Sequence, residues 1–543
     1  MTSPTLDGAS IPYLRKQGSA TQLIVDGKPF LILGGELHNS SASSLAYMQP
    51  IWKRMQALHL NTVLAVIAWE QFEPEEGVFD FTLIDGLIDE ARWHDLRLVI
   101  LWFGTWKNGM SSYAPGWVKR DYRRFPRVIT SDGAPIEILS TLGAETQAAD
   151  ARAFARLMAH LWEVDGQQNT VVMVQVQNEV GVLGDSRDRS PGANAAFAGP
   201  VPAALVAQLL AHKAELGAGL LGLWEAQGFP EKGSWEEMFG SSDQTDELFM
   251  AWHYARYLDG VAAAGKAEYP LPLFANAWLS SLGDAPGGWA SGGQKPGEWP
   301  SGGPLPHTLD IWLAAAPHID FLAPDIYQPQ FAAWCRQYTR RGNPLFIPEM
   351  RRTEEGARQL FYALGAHDAL GVSPFGIDSA PATPENPLAR SFAVLAQMAP
   401  SILEAQGKDS MIGFLLDGET PLITQKLGNY ELEISLDQGF GQNAQKGNGL
   451  IIATGPDEFL GAGFGFRVRF RGLPPGPALA GIVAVDEGEF REGEWVAGRR
   501  LNGDETGRGH YWRFYDYGSN ADGGRSIPHS STGISRCAIY RYV

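Results

Sequence analysis

The sequence predicts an α/β fold, a (β/α)8 TIM barrel over residues 1–400 followed by a C-terminal β-sandwich domain over residues 401–543. Three observations predict it. From about residue 30 to 395 one unit recurs: a short apolar run rich in branched residues, a polar or aromatic end, then a longer stretch of helical periodicity. It recurs eight times, the barrel number. After about residue 400 the texture changes to short alternating segments, such as Tyr430–Leu436 and Phe464–Phe470, broken by Gly, Asp and Asn.

In chain order the expected strands are Phe30–Gly34, Thr62–Ala68, Leu98–Phe103, Val171–Val176, Leu273–Ala277, Phe321–Pro324, Pro344–Ile347 and Gly371–Gly376. Near-continuous apolar runs such as VVMVQV (171–176) suit a parallel sheet covered on both faces, where a half-exposed strand would alternate. Helices are expected over Leu83–His94, Ala149–Glu163 and Asp246–Ala264, among others. An open doubly wound sheet accounts for fewer of the eight units. The long loops follow strands four and five, and the Gly/Trp/Pro-rich stretch Gly287–Pro304 is expected to form part of an active-site rim.

Composition narrows the function classes. A formal net charge of -18 sets up a field that repels nucleic acid and anionic membranes, so neither is an expected partner and a neutral substrate is favoured. No apolar stretch reaches the roughly 20 residues of a membrane span. Residues Met1–Ala20 lack a charged start followed by an apolar core, so the chain as given reads as cytoplasmic or already stripped of a leader. Cys335 and Cys537 match no metal or redox spacing. Neither HExxH nor GxSxG occurs, and GAGLLG (217–222) follows a helical stretch instead of a strand, so no metal, nucleotide cofactor or serine nucleophile is expected. Oligomeric state leaves no signature. The 17 Trp, 16 Tyr and 26 Phe lie in many cases near strand ends, where aromatic faces suit sugar rings.

Two segments carry the chemistry. VQNEVG (176–181) puts Asn178 and Glu179 at the C-terminal end of the fourth strand, and PLFIPEM (344–350) puts Glu349 after the seventh. In a barrel those ends face the active site, from opposite sides of its mouth. Cleavage of a glycosidic bond needs such a pair, one carboxyl to protonate the leaving oxygen and another to act at the anomeric carbon. Their environments must differ, because the acid must hold its proton and its partner must stay ionised.

These segments resemble the signature of the clan of retaining barrel glycosidases that contains glycoside hydrolase families 35 and 42. AWEQFEPEEGVFDF (68–81) is similar to the W…EP..G.(Y/F)DF motif of β-galactosidases in those families, and FLILGGELHNSSAS (30–43) and APGWVKRD (114–121) also look like family segments. The resemblance covers roughly residues 20–395. It implies Glu179 as acid/base, Glu349 as nucleophile, Asn178 as donor to the sugar 2-hydroxyl and Tyr327, in APDIYQ, as the tyrosine that orients the nucleophile. One departure concerns specificity: the glutamate that family 35 carries after strand three is replaced by FGTWKNG (103–109), where Lys107 or Asn108 would have to serve as donors to ring hydroxyls or be ordinary loop residues.

Further candidates stand at other strand ends. Trp69 and Glu70 are expected to line a sugar subsite, or else to pack in the core and form a salt bridge respectively. Trp278 suits a stacking platform and Trp289 a lid residue. Glu36 and His38 would contact substrate or hold structure through hydrogen bonds. The expected function is a retaining β-glycosidase acting on terminal sugars of an oligosaccharide or glycoside, β-galactosidase ahead of arabinosidase, xylosidase or another hexosidase. The alternative from a different class is a non-catalytic carbohydrate-binding barrel, which would not need both carboxylates.

Overall fold

The computed structural model describes residues 5–6, 9–281, 292–439, 442–501, 503–515 and 532–543. Eight parallel strands form the barrel: β1 (Ile32–Glu36), β2 (Thr62–Ala68), β3 (Arg97–Lys107), β4 (Val171–Asn178), β5 (Leu273–Trp278), β6 (Phe321–Asp325), β7 (Phe346–Met350) and β8 (Gly371–Pro374). They lie in the order β6-β5-β4-β3-β2-β1-β8-β7. A parallel bridge between Ile326 and Met350, with the Ile326 amide donating to the Glu349 carbonyl at 2.9 Å, closes β6 onto β7.

Alternation along the strands sorts their side chains between two apolar cores. On β2, Leu64, Val66 and Ala68 enter the barrel interior, while Val63, Ala65 and Ile67 face the helices. The interior is filled by Val99, Leu101, Phe103, Phe274, Phe321 and Phe346, with the Phe274 and Phe321 rings stacked at 5.2 Å. It is a packed core, not a pore. A three-stranded antiparallel sheet (Tyr13–Gln17, Ala20–Val25, Lys28–Phe30) contributes Leu23 and Val25 to this interior cluster.

The principal helices following the strands are α1 (Leu45–Ala57), α2 (Thr82–Trp93), α3 (Ala144–Asp165), α4 (Asp243–Glu268), α5 (Leu309–Ala315), α6 (Phe331–Tyr338), α7 (Glu354–His367) and α8 (Pro387–Ala405). Several start on side-chain caps that the sequence spells out, Ser44 for α1, Ser242 for α4, Thr353 for α7 and Asn386 for α8. None of the helices among the described residues is long and apolar enough to cross a membrane. The loops after β4 and β5 are the long ones, as expected, and they are pinned together: Val182 and Ser301 exchange backbone hydrogen bonds of 2.9 and 2.8 Å. Gly181 makes that approach feasible, since a Cβ there would lie 2.3 Å from the Pro300 carbonyl carbon.

The C-terminal strands are β9 (Met411–Leu416), β10 (Leu422–Leu427), β11 (Tyr430–Leu436), β12 (Gly447–Gly455), β13 (Glu458–Phe464), β14 (Phe466–Gly472), β15 (Leu479–Arg491), β16 (Glu494–Leu501), β17 (Trp512–Phe514) and β18 (Ile534–Tyr542). Their antiparallel order is β9-β12-β13-β18-β15-β14-β11-β10, with β16 added to β15 and β17 to β14. The sheet folds as a sandwich over its own apolar core, which includes Phe414, Leu432, Ile451, Phe459, Phe466 and Trp512. This domain docks on α7. A Cβ on Gly365 would lie 2.8 Å from Leu450 Cβ and 2.9 Å from Gly413 Cα, and buried Arg358 donates to the carbonyls of Leu416 and Gly447.

Candidate active site

The fourth strand ends in an unusual backbone. Gln177 and Glu179 both have positive φ, 64° and 45°, a conformation that costs L-residues energy and collects at functional sites. In a regular strand Asn178 and Glu179 would point to opposite faces. Here both reach the same buried cluster at the barrel mouth. Side chains around the bend hold it: Gln177 Oε1 accepts from the Trp106 amide at 3.0 Å, and Asn276 Oδ1 accepts from the Glu179 amide at 2.9 Å.

The third strand runs further than its sequence suggests, to Lys107 instead of Phe103. Its register against β4 jumps from Trp102–Val176 to Lys107–Asn178, so the intervening residues bulge out and Lys107 turns into the site. The buried Lys107 ammonium donates to Asn178 Oδ1 at 2.9 Å and lies 4.9 Å from the Phe103 ring centroid. Burial alone would strip its proton, but the surrounding Glu349, Glu179, Glu36 and Asp325 outweigh that and raise its pKa.

Glu349 is reached by two donors, the Tyr327 hydroxyl at 2.7 Å on Oε2 and Asn178 Nδ2 at 3.4 Å on Oε1. Burial and the neighbouring Glu349 charge hold the Tyr327 phenol well above its ordinary range, so it remains a donor. Glu179, Asp325 and Glu349 each present a carboxylate oxygen within 4.8 Å of the other two. Burial first, then the Glu349 charge, push Glu179 up to about 7, against the opposing pull of Lys107 and Asp325. Asp325 is held well above the carboxylate range by burial and by the Glu349, Glu179 and Glu36 charges, and its side-chain hydrogen bond with Glu179 adds to the rise. Its Oδ2 accepts from Asn276 Nδ2 at 2.6 Å. Three carboxylates this close could chelate a divalent cation; the Lys107 ammonium already supplies a positive charge among them.

A cavity of about 270 Å³ opens over this cluster, lined by Glu179, Glu349, Lys107 and Asp325 and walled by Asn108, Trp278, Tyr327 and Gln328. That is small beside typical ligand sites of about 300–1,000 Å³ and suits one sugar ring better than a chain. Asn178 is fully buried beside the pair.

The structure does not bring every expected residue here. Trp69 is fully buried, donates to Glu73 Oε2 at 2.7 Å and packs edge-on against Trp117; the short helix Trp69–Phe72 turns its ring into the core. Glu70, one position on, faces outward with Lys119 3.6 Å away. Neither lines the cavity. Glu36 is fully buried in the carboxyl cluster and does not line the cavity. His38 pairs with Asp378 at 2.9 Å and packs against Phe375, a structural role. Trp289 lies outside the described residues, while the described end of its loop is anchored by Trp299, whose indole donates to Glu247 at 2.7 Å. Asp325 and Asn276 were missed as site residues, although a carboxylate ending β6 follows the same strand-end logic that singled out Glu179.

Fold and site together define a barrel protein with paired buried glutamates at the C-terminal mouth, the arrangement of glycosidase-like barrels. Residues 43–210 match the family model for glycoside hydrolase family 42, described as β-galactosidase, and residues 388–513 match a domain of unknown function (DUF5597). A β-galactosidase of Xanthomonas manihotis is 28% identical over 188 residues, which is 32% of this chain and 28% of that protein. The chain therefore aligns with little more than a quarter of that relative. Among solved structures, a β-galactosidase from Rahnella sp. R3 is 16% identical with a TM-score of 0.45, covering 69% of this chain and 57% of its own. The catalytic domain of β-amylase from Paenibacillus polymyxa is 10% identical with a TM-score of 0.46, covering 66% and 96%. The chain resembles the β-galactosidase-like glycosidases.

Proposed function

We propose that this protein is a retaining glycoside hydrolase that removes terminal β-linked sugars, with β-galactosides as the first substrate class to test. The observation that carries the reading is the approach of Glu179 and Glu349, whose nearest carboxylate oxygens lie within 4.8 Å. Retaining carboxyl groups stand about 5–5.5 Å apart, whereas inverting ones leave about 6.5–9.5 Å for a water, and so close an oxygen–oxygen approach favours the shorter class. In this reading Glu349 attacks the anomeric carbon as the glycosidic C–O bond breaks, and Glu179 delivers its proton to the departing oxygen. The sugar is then an ester of Glu349. Glu179, now ionised, takes a proton from water, whose oxygen attacks the anomeric carbon and releases Glu349.

The two environments suit the two roles. A pKa of about 7 leaves Glu179 about half protonated at neutral pH and able to reverse roles, and Tyr327 and Asn178 supply donors to Glu349. Trp278 is the ring we assign to stacking against the sugar, and Lys107 and Asn108 are the polar groups we assign to its hydroxyls. Because the segment Phe103–Gly109 stands where family 35 carries a glutamate, the sugar is the finer question. We further propose that catalysis belongs to a domain ending near residue 400 and that the C-terminal sandwich is a separate domain. A panel of nitrophenyl glycosides, with product anomer read by NMR, tests the reading: hydrolysis with retained configuration is expected. No hydrolysis across the panel, or a first-formed sugar of inverted configuration, would overturn it.

A further inference from the structure

Glu36 ends β1 with its side chain fully buried. Among the described residues no donor hydrogen-bonds either of its carboxyl oxygens. Its side chain is placed for a hydrogen bond with the carboxyl of Glu349, an arrangement that needs a shared proton. An ionised carboxylate buried without donors is far costlier than a neutral acid, so the proton belongs on one of the two.

The groups facing it decide which. Glu349 on β7, Glu179 after β4 and Asp325 on β6 are acidic, and Tyr327 after β6 is a neutral phenol; among the described residues the cation acting on it is Lys107 on β3. That ammonium already donates to Asn178 and is shared among four carboxyls. Glu349 has donors from Tyr327 and Asn178, Glu36 has none. The proton is therefore better placed on Glu36. Burial, then the Glu349 charge, push Glu36 in the same direction, well above the carboxylate range.

We propose that Glu36 is a positioning residue whose protonated carboxyl donates a hydrogen bond to Glu349 beside the cavity, a third donor that makes Glu349 a better leaving group. The inference rests on the nucleophile role of Glu349. Its consequence is asymmetric: the donor is weakened while Glu349 is esterified and regained when Glu349 departs, so Glu36 favours breakdown of the glycosyl-enzyme.

The test compares Glu36→Leu with Glu36→Gln in the full chain. Losing a donor should move the acidic limb of kcat/KM upward by about one pH unit in Glu36→Leu. The amide of Glu36→Gln still donates and should restore the limb. If Glu36 were ionised, both substitutions would remove a negative charge and shift the limb downward, overturning the proposal. An unmoved limb in both variants, the signature of a merely structural role, also overturns it. Should Glu36→Leu not fold, difference infrared spectroscopy of wild type against Glu36→Gln decides: a protonated carboxyl C=O band at neutral pH is expected to disappear, and its absence from the wild type refutes the inference. The readouts separate two failures. A wild type that hydrolyses no glycoside and resists labelling by 2-deoxy-2-fluoro glycosides sinks the retaining reading, and with it the positioning role, while the infrared band still reports whether Glu36 holds the proton.

Discussion

Tyr327 and Glu349 meet across the seam that closes the barrel, the phenol donating to Oε2 at 2.7 Å. The residue before Tyr327 supplies the closing backbone bond, Ile326 amide to Glu349 carbonyl at 2.9 Å. Arg351 Nε returns a bond of 2.8 Å to the Tyr327 carbonyl. Side chain and backbone of residue 349 are thus both fixed by the end of β6, and closing the barrel also aims its carboxylate.

Removing the phenol isolates that effect. A charge-assisted hydrogen bond is worth about 1.5–3 kcal/mol, so Tyr327→Phe should lower kcat by roughly 10- to 100-fold with little change in fold. Steady-state kinetics beside circular dichroism checks it; wild-type turnover in the variant would mean that the bond does not act in the reaction.

Glu349→Gln keeps the shape and removes the carboxylate we propose as nucleophile. Turnover should fall by more than about 10³-fold while sugar binding, measured by calorimetry, survives. Comparable hydrolysis by the folded variant would defeat the assignment.

Glu179→Ala should divide substrates by leaving group, since acid assistance is worth about 10²–10⁴-fold when the leaving group is poor. Activated aryl glycosides should still form the intermediate and then stall, with azide restoring turnover as a β-glycosyl azide. In the wild type, activity on poor leaving groups should fall as pH rises through about 7, where Glu179 loses its proton. Absence of azide rescue together with equal losses on both substrate types would argue against the role.

The same raised pKa predicts a stability change. A carboxyl with a pKa of about 7 folded and about 4.3 unfolded contributes fully below pH 4.3 and loses that contribution as pH rises through 7. Glu179→Gln should therefore be nearly neutral at pH 4 and stabilising by up to roughly 3 kcal/mol at pH 8. Thermal melts at the two pH values decide it, and an equal effect at both would show that burial of the charge is not the cause.

Lys107→Met should be destabilising by about 3–5 kcal/mol, because it leaves several buried carboxyls without their cation. It should also move the alkaline limb to higher pH, since Lys107 opposes the rise of Glu179. Chemical denaturation and a pH profile test the two halves separately, and a limb that stayed in place would break the electrostatic link.

Much of this was legible in residue order, and the failures have physical causes. The eight strands show in the sequence because each is buried on both faces and reads as an apolar run. Glu179 and Glu349 follow from the strand-end rule, and Tyr327 from the resemblance to retaining barrel glycosidases. Lys107 was ambiguous because the bulge that turns it inward depends on the β3–β4 register, a contact between segments some 70 residues apart. Trp69 misled because a one-turn helix begins at that residue, and no local signal separates a ring facing a cavity from one folded under it. Glu36 was flagged, but its lack of donors is a property of three dimensions.

The contact between Gly365 on α7 and Gly413 on β9 is a join at which neither side has a side chain to trim. Swapping the sandwich for another accessory module would require a replacement equally bare at that point, and enlarging either glycine would wedge the two bodies apart. The seventh helix also follows directly from the strand that bears Glu349. Barrel and sandwich are therefore fitted for joint inheritance, each limiting the sequence changes open to the other.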